Sequence, residues 1–134
     1  MGVDEIRIAN RTRPRAEALR AEFGARIVVY DWVKGGNIVD GATTVVNATT
    51  LGSPGAQDFR VPLDALRPGA VVSDLAIAPQ MTRLLRVAME MGCYPIDGIG
   101  MVLYQAAPAF ERWFGRRPEV NSAARAAAAE AFTP

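Results

Sequence analysis

Short apolar runs alternate along this chain with longer stretches of helical period, and polar turns separate them. Ile6-Arg7-Ile8 sets one long polar side chain between two apolar ones, which predicts a short strand with Ile6 and Ile8 turned inward. Thr12 suits an N-cap, and Pro14 falls in the first turn of the helix that follows, where a missing N–H does no harm. Ala16, Leu19 and Phe23 then share one face, and Gly24 stops the helix. Residues 26–32 read as a second strand and residues 43–47 as a third. The third strand carries Val45 and Val46 without alternation, which suits burial on both faces. Residues 63–69 form a helical turn stopped by Pro68-Gly69, residues 70–76 a fourth strand and residues 93–96 a short fifth. Residues 82–91 are an amphipathic helix with Leu84, Leu85, Ala88 and Met91 inward. Residues 101–113 are helical in pattern, with Pro108 expected to kink or divide them. Asn121 caps a last alanine-rich helix, Ser122–Phe132, with little to bury besides Phe132. Strands alternating with helices predict an α/β fold, a mostly parallel sheet with flanking helices.

Composition narrows the chemistry. The chain has 134 residues, a net charge of +1 and 50% hydrophobic residues, which suits a single globular domain and gives no case for nucleic acid or a membrane surface. Lys34 is the only lysine, so the positive charge is almost all arginine. Cys93 is alone and reads as a small core residue in a reducing compartment, so a cytoplasmic location is expected. Histidine is absent, which removes the commonest metal ligand and general base, so no metal site is expected. No apolar run is long enough to span a bilayer, and no signal-peptide pattern opens the chain.

The first strand–helix junction concentrates cations. Asn10-Arg11-Thr12 is followed by Arg13 and Arg15, beside the free N–H groups of a helix start. In a dinucleotide-binding fold, a carboxylate after the second strand accepts from the ribose of NAD, whereas an arginine accommodates the 2′-phosphate of NADP. No acid stands here, so the physical reading is NADP. The same residues also fit a solvated, basic helix start. At the carboxyl end of the third strand, Asn47-Ala48-Thr49 lies where open α/β sheets bind ligands, and it equally fits an ordinary polar strand cap.

Asn10-Arg11-Thr12 with Arg15-Ala16 resembles the "NRT…RA" motif of the shikimate dehydrogenase family. Asn47-Ala48-Thr49-Thr50-Leu51-Gly52 resembles its "NAT-x-x-G" loop. Asp74 to Pro79 with Thr82, Leu84 and Leu85 resembles "D-x-x-Y-x-P…T-x-LL". Asp97-Gly98-Ile99-Gly100-Met101 with Gln105, Phe110, Trp113 and Gly115 resembles "DG-x-x-M…Q…F…W-x-G". The resemblance runs over residues 2–115 and leaves 116–134 as a helical tail.

The resemblance implies a Rossmann-like, NADP-binding part of an oxidoreductase that transfers hydride between NADP and a hydroxylated ring acid, 3-dehydroshikimate to shikimate in the type activity. It implies cofactor contacts at Asn10, Arg11, Thr12, Arg15, Asn47, Ala48, Thr49, Leu75, Gly98 and Met101, and substrate contacts at Gln105 and Ile77. Gly98 would let a carboxamide approach the backbone. Phe110 and Trp113 read as core. Asp74 and Asp97 read as residues that order loops. No catalytic residue is implied here, because the family's lysine and aspartate belong to a separate substrate domain.

Two departures stand out. Ile77 replaces the family's tyrosine, which admits a paralogue acting on quinate or another ring acid, and Ser53 stands where methionine is common. A phosphate-cradling G-x-G-x-x-G turn is also absent, the only adjacent glycine pair being Gly35-Gly36 in Lys34-Gly35-Gly36-Asn37, which reads as a turn. The sequence therefore reads as a domain without its first strand, inactive alone, or as a non-catalytic truncated nucleotide-binding or interaction module. In the usual order, 3-2-1-4-5-6, the strands at Ile6 and at Thr43 would border that gap. They are expected to pair directly or to borrow a strand from another copy, giving a homo-oligomer.

Overall fold

The computed structural model describes residues 2–32, 38–57 and 61–132. The order is β1 (Ile6–Ala9), α1 (Arg13–Phe23), β2 (Ile27–Tyr30), β3 (Thr44–Asn47), β4 (Val71–Asp74), α2 (Arg83–Glu90), β5 (Tyr94–Ile96), α3 (Gly98–Phe114) and α4 (Ser122–Phe132). The chain divides into two compact units, Met1–Ala42 with Val61–Leu66, and Thr43–Arg60 with Arg67–Pro134. All described ladders are parallel, as the βαβ pattern requires. They are two rather than one: β1-β2, and β3-β4-β5. The Lys34-Gly35-Gly36-Asn37 turn lies outside the described residues.

In the first unit, Ile6 pairs with Ile27 and Ala9 with Tyr30. Ala16, Ile27, Val39, Leu63 and Leu66 are its buried apolar residues. Ile6 is not inward; it is 40% exposed. Leu19 and Phe23 are exposed too, because a two-strand ladder buries only the middle of α1, at Ala16. Gly24 ends the helix at φ +87°, as read. Arg7 is employed structurally. Its Nη1 donates to the carbonyls of Ile38 (3.1 Å) and Asp40 (2.5 Å), and its guanidinium lies 5.9 Å from the Tyr30 ring centroid. The hydrogen bond to Glu5 holds its pKa above the usual arginine value.

In the second unit the core is Val72, Leu84, Leu85, Ala88, Cys93 and Ile99, all nearly fully buried. Leu84, Leu85 and Ala88 are the inward face read for α2, and Met91 is half-buried at its end. Cys93 packs as a small core residue, its Sγ 3.4 Å from the Arg67 carbonyl. β3 is not covered on both faces. It is the edge of its ladder, and Val46 is 54% exposed. α3 starts at Gly98, earlier than its apolar pattern, because the Asp97 side chain accepts from Ile99 N at 3.1 Å and caps it there. Pro108 does not divide it. Both Pro108 and Tyr104, four residues before it, are exposed, and the helix runs on to Phe114. Phe110 and Trp113 are not core. They are exposed, since only Gly98, Ile99 and Ala107 of α3 are covered, and Phe110 packs on Phe114 with ring centroids 4.4 Å apart. α4 is capped by Asn121 as expected, through Ala124 N at 3.1 Å, and has no buried residue. Among the described residues no helix is long and apolar enough to cross a membrane.

Candidate functional site

Asn47 and Asp74 are the last residues of β3 and β4 and are register partners. Asn47 Nδ2 donates to Asp74 Oδ1 at 3.0 Å. Ala76 N donates to the same oxygen at 3.1 Å, and Thr82 Oγ1 donates to Oδ2 at 2.7 Å. Asp74 is fully buried, so three donors replace the water it has lost. Asn47 Oδ1 accepts from Thr49 N (3.1 Å) and Thr49 Oγ1 (2.7 Å), and Asn47 Nδ2 also donates to the Leu51 carbonyl at 3.1 Å. Asn47 and Thr49 therefore shape the loop after β3 with their own side chains. Ala48 between them is exposed, the small residue a ligand could approach.

A Cβ on Gly98 would lie 2.6 Å from the Ala76 carbonyl oxygen and 2.7 Å from that of Leu75. The glycine read as making room for a carboxamide makes room first for the chain's own backbone, because the first turn of α3 rests on the end of β4. This contact brings three sequence motifs together at one sheet end: the Asn47 loop, the segment after Asp74, and the Asp97-Gly98 helix start. Open parallel sheets bind ligands at that end. Leu75 and Met101 are half-buried there. Gln105 lies seven residues after Gly98, on the same helix face and about 10 Å along the axis, and is exposed.

Ile77 lines a pocket of about 230 Å³ together with Pro54, Ala78, Pro79, Ala129 and Phe132, and Gln80 is the one polar side chain among the lining residues. Arg125, also from α4, reaches α3: its Nη2 lies 3.0 Å from Asp97 Oδ1 and 2.7 Å from Oδ2. Sequence reading missed the Asp97–Arg125 pair and the Phe132 wall. The aspartate at a helix start was a signal for the cap; a partner so far along the chain gave none.

The arginine junction belongs to the first unit. Asn10 Nδ2 donates to the Thr12 carbonyl at 2.9 Å. Thr12 stands at the cap position, but its side chain makes no capping bond. Arg13 is not an available cation: it pairs with Asp31 and, at 3.0 Å, with Glu17. Those two carboxylates, Asp31 foremost, raise its pKa. Arg11 and Arg15 are exposed and have no side-chain partner among the described residues. An anion at this helix start would meet those two.

Residues 98–127 match the family model for the C-terminal domain of shikimate 5′-dehydrogenase. The chain is 61% identical over 127 residues to a shikimate dehydrogenase (NADP(+)) of Cereibacter sphaeroides, an alignment covering 95% of this chain and 46% of that relative. Among solved structures it is similar to the Thermus thermophilus shikimate 5-dehydrogenase in complex with NADP(H) and shikimate, with 32% identity, a TM-score of 0.74, and 95% and 46% of the two chains covered. It is also similar to the Corynebacterium glutamicum quinate dehydrogenase in complex with NAD, with 30% identity, a TM-score of 0.80, and 93% and 46% covered. The chain thus spans about half the length of the relatives it matches. The α/β fold with parallel ladders is the Rossmann-like fold of these neighbours.

Proposed function

We propose that this chain, kin along nearly its whole length to part of the shikimate dehydrogenase family, is the NADP-binding part of an oxidoreductase acting on a hydroxylated ring acid. The observation that carries the reading is the convergence of Asn47, Leu75-Ala76 and Gly98 at the carboxyl end of the β3-β4 ladder. NADP, when bound, supplies the hydride. The chain's own residues hold and orient. Arg11 and Arg15, free of partners among the described residues, suit the adenosine phosphate, with Asn10 and Thr12 shaping the turn beneath them. Ala48, with Asn47 and Thr49 fixing its loop, offers backbone to the cofactor. Leu75 and Met101 supply apolar surface for the nicotinamide, and Gly98 fixes the backbone they stand on. Gln105 and Ile77 face the ring substrate. No group of this chain is assigned the proton transfer.

Shikimate is the first substrate of this reading, and Ile77 supports a second, quinate or another ring acid, because isoleucine cannot donate the hydrogen bond of the family's tyrosine. The work would take place in the cytoplasm, without nucleic acid. The edges that β1 and β3 leave unpaired among the described residues suit association between copies. The test is to titrate the full-length protein with NADP and NAD and to follow dihydronicotinamide formation with shikimate and with quinate. NADP preference with turnover of either acid supports the proposal. NADP binding without turnover of any ring acid leaves a nucleotide-binding module, and absence of NADP binding overturns both.

A further inference from the structure

The pocket at Ile77 has two sides. Pro54 and the segment after β4 make one, and Ala129 and Phe132 from the last turns of α4 make the other. α4 has eleven residues, seven of them alanine, and none is buried. A helix of that length does not hold itself in place. Two features at its other end do. Arg125 spans both oxygens of Asp97, the cap of α3. Gly100, in the first turn of α3, leaves room for that guanidinium, since a Cβ there would lie 3.0 Å from Arg125 Nη1. Arg125 thus ties to the start of α3 the helix whose far end lines the pocket.

We propose that α4 is a wall of the ring-substrate subsite, with Phe132 as a specificity-determining residue and Arg125 as the positioning residue that holds the wall. The inference rests on the function proposed above. Phe132 and Ala129 of α4, with Pro79 across from them, offer carbon surface, which suits the C–H face of a cyclohexene or cyclohexane ring. A further hydroxyl on that face would lose water and gain no partner from them. The wall therefore favours the less hydroxylated of two ring acids.

The experiment is steady-state kinetics on the full-length protein with shikimate and quinate, alongside NADP titration. Phe132→Ala is expected to raise KM for the preferred acid about tenfold and to narrow the preference for shikimate over quinate, with NADP affinity unchanged. Phe132 is 42% exposed, so the fold tolerates the change, and Phe132→Leu should recover most of the loss. Arg125→Ala should raise KM similarly and speed hydrogen exchange in the α4 amides, Arg125→Lys should restore part of both, and the double variant should be no worse than the worse single one. An active parent whose KM and acid preference are unmoved by Phe132→Ala overturns this proposal and leaves the function standing. Unchanged α4 exchange in Arg125→Ala overturns the positioning role. A parent that turns over no ring acid overturns the function and this inference with it.

Discussion

The Thr82 hydroxyl donates to Asp74 Oδ2 at 2.7 Å and accepts from Leu85 N at 3.4 Å, so one buried side chain completes the β4 carboxylate and starts α2. Thr82→Val keeps the shape and removes both bonds. A buried carboxylate oxygen then lacks its donor and the helix lacks its cap, which should cost about 1–3 kcal/mol. Thr82→Ser should stay close to the parent. Urea unfolding midpoints decide the matter, and a valine variant as stable as the parent would contradict the account.

Gly98 has no space for a methyl group. The atoms such a group would strike are backbone carbonyls of Leu75 and Ala76, which cannot swing aside as a side chain can. Gly98→Ala should therefore part α3 from the end of β4 and destabilise the protein by about 1–3 kcal/mol. The comparison is Gly2→Ala, where a Cβ meets nothing within 4 Å and stability should not change. Thermal unfolding of the two variants side by side gives the answer.

These two residues mark what was legible in the sequence. Asp74 and Thr82, and Asp97 and Gly98, are motif positions in the sequence, yet only the structure shows the bonds behind the spacing: a carboxylate reaching forward to a cap, and a bare α-carbon against a strand end. Element order and type were readable because period and turn residues are local. The overestimates share one cause. Ile6, Val46, Phe110 and Trp113 are apolar enough for a core, but pattern does not say how many strands or helices lie alongside to cover them, and β1 and β3 are edges of their ladders here. The pairing of Arg13 with Asp31 was hidden for a similar reason, since Asp31 is distant in sequence and follows β2.

The arginines at the α1 start should differ sharply in their effect on cofactor choice. Arg11→Ala removes a guanidinium with no side-chain partner among the described residues and should weaken NADP about 10- to 100-fold while changing NAD little, the loss of a charge-assisted hydrogen bond. Arg13→Ala removes one already committed to Asp31 and Glu17 and should leave the NADP-to-NAD ratio unchanged. Calorimetric titration of both variants with both cofactors tests the assignment; equal losses for NADP and NAD in Arg11→Ala would count against it.

Gln105 is exposed on the helix face that Gly98 begins. On the proposed function Gln105→Ala should raise KM for the ring acid or lower kcat, with NADP affinity barely changed. Steady-state kinetics identical to the parent would remove Gln105 from the site.

Ile77 sits where the pocket is narrowest in chemistry: its neighbours there are two prolines, two alanines and Phe132, with Gln80 the only polar side chain. Apart from Gln80, the lining has no side-chain donor in place of the hydroxyl that a tyrosine at this position would present to a ring alcohol. Ile77→Tyr restores such a donor on the apolar side of the pocket. A neutral hydrogen bond gained at the ring is worth roughly three- to tenfold in rate. The variant should therefore raise kcat/KM for shikimate relative to quinate by that factor. The ratio of the two kcat/KM values, measured at saturating NADP, isolates the effect from cofactor binding. A ratio identical to the parent's would show that the ring is held by other groups, and that position 77 shapes the pocket without choosing what enters it.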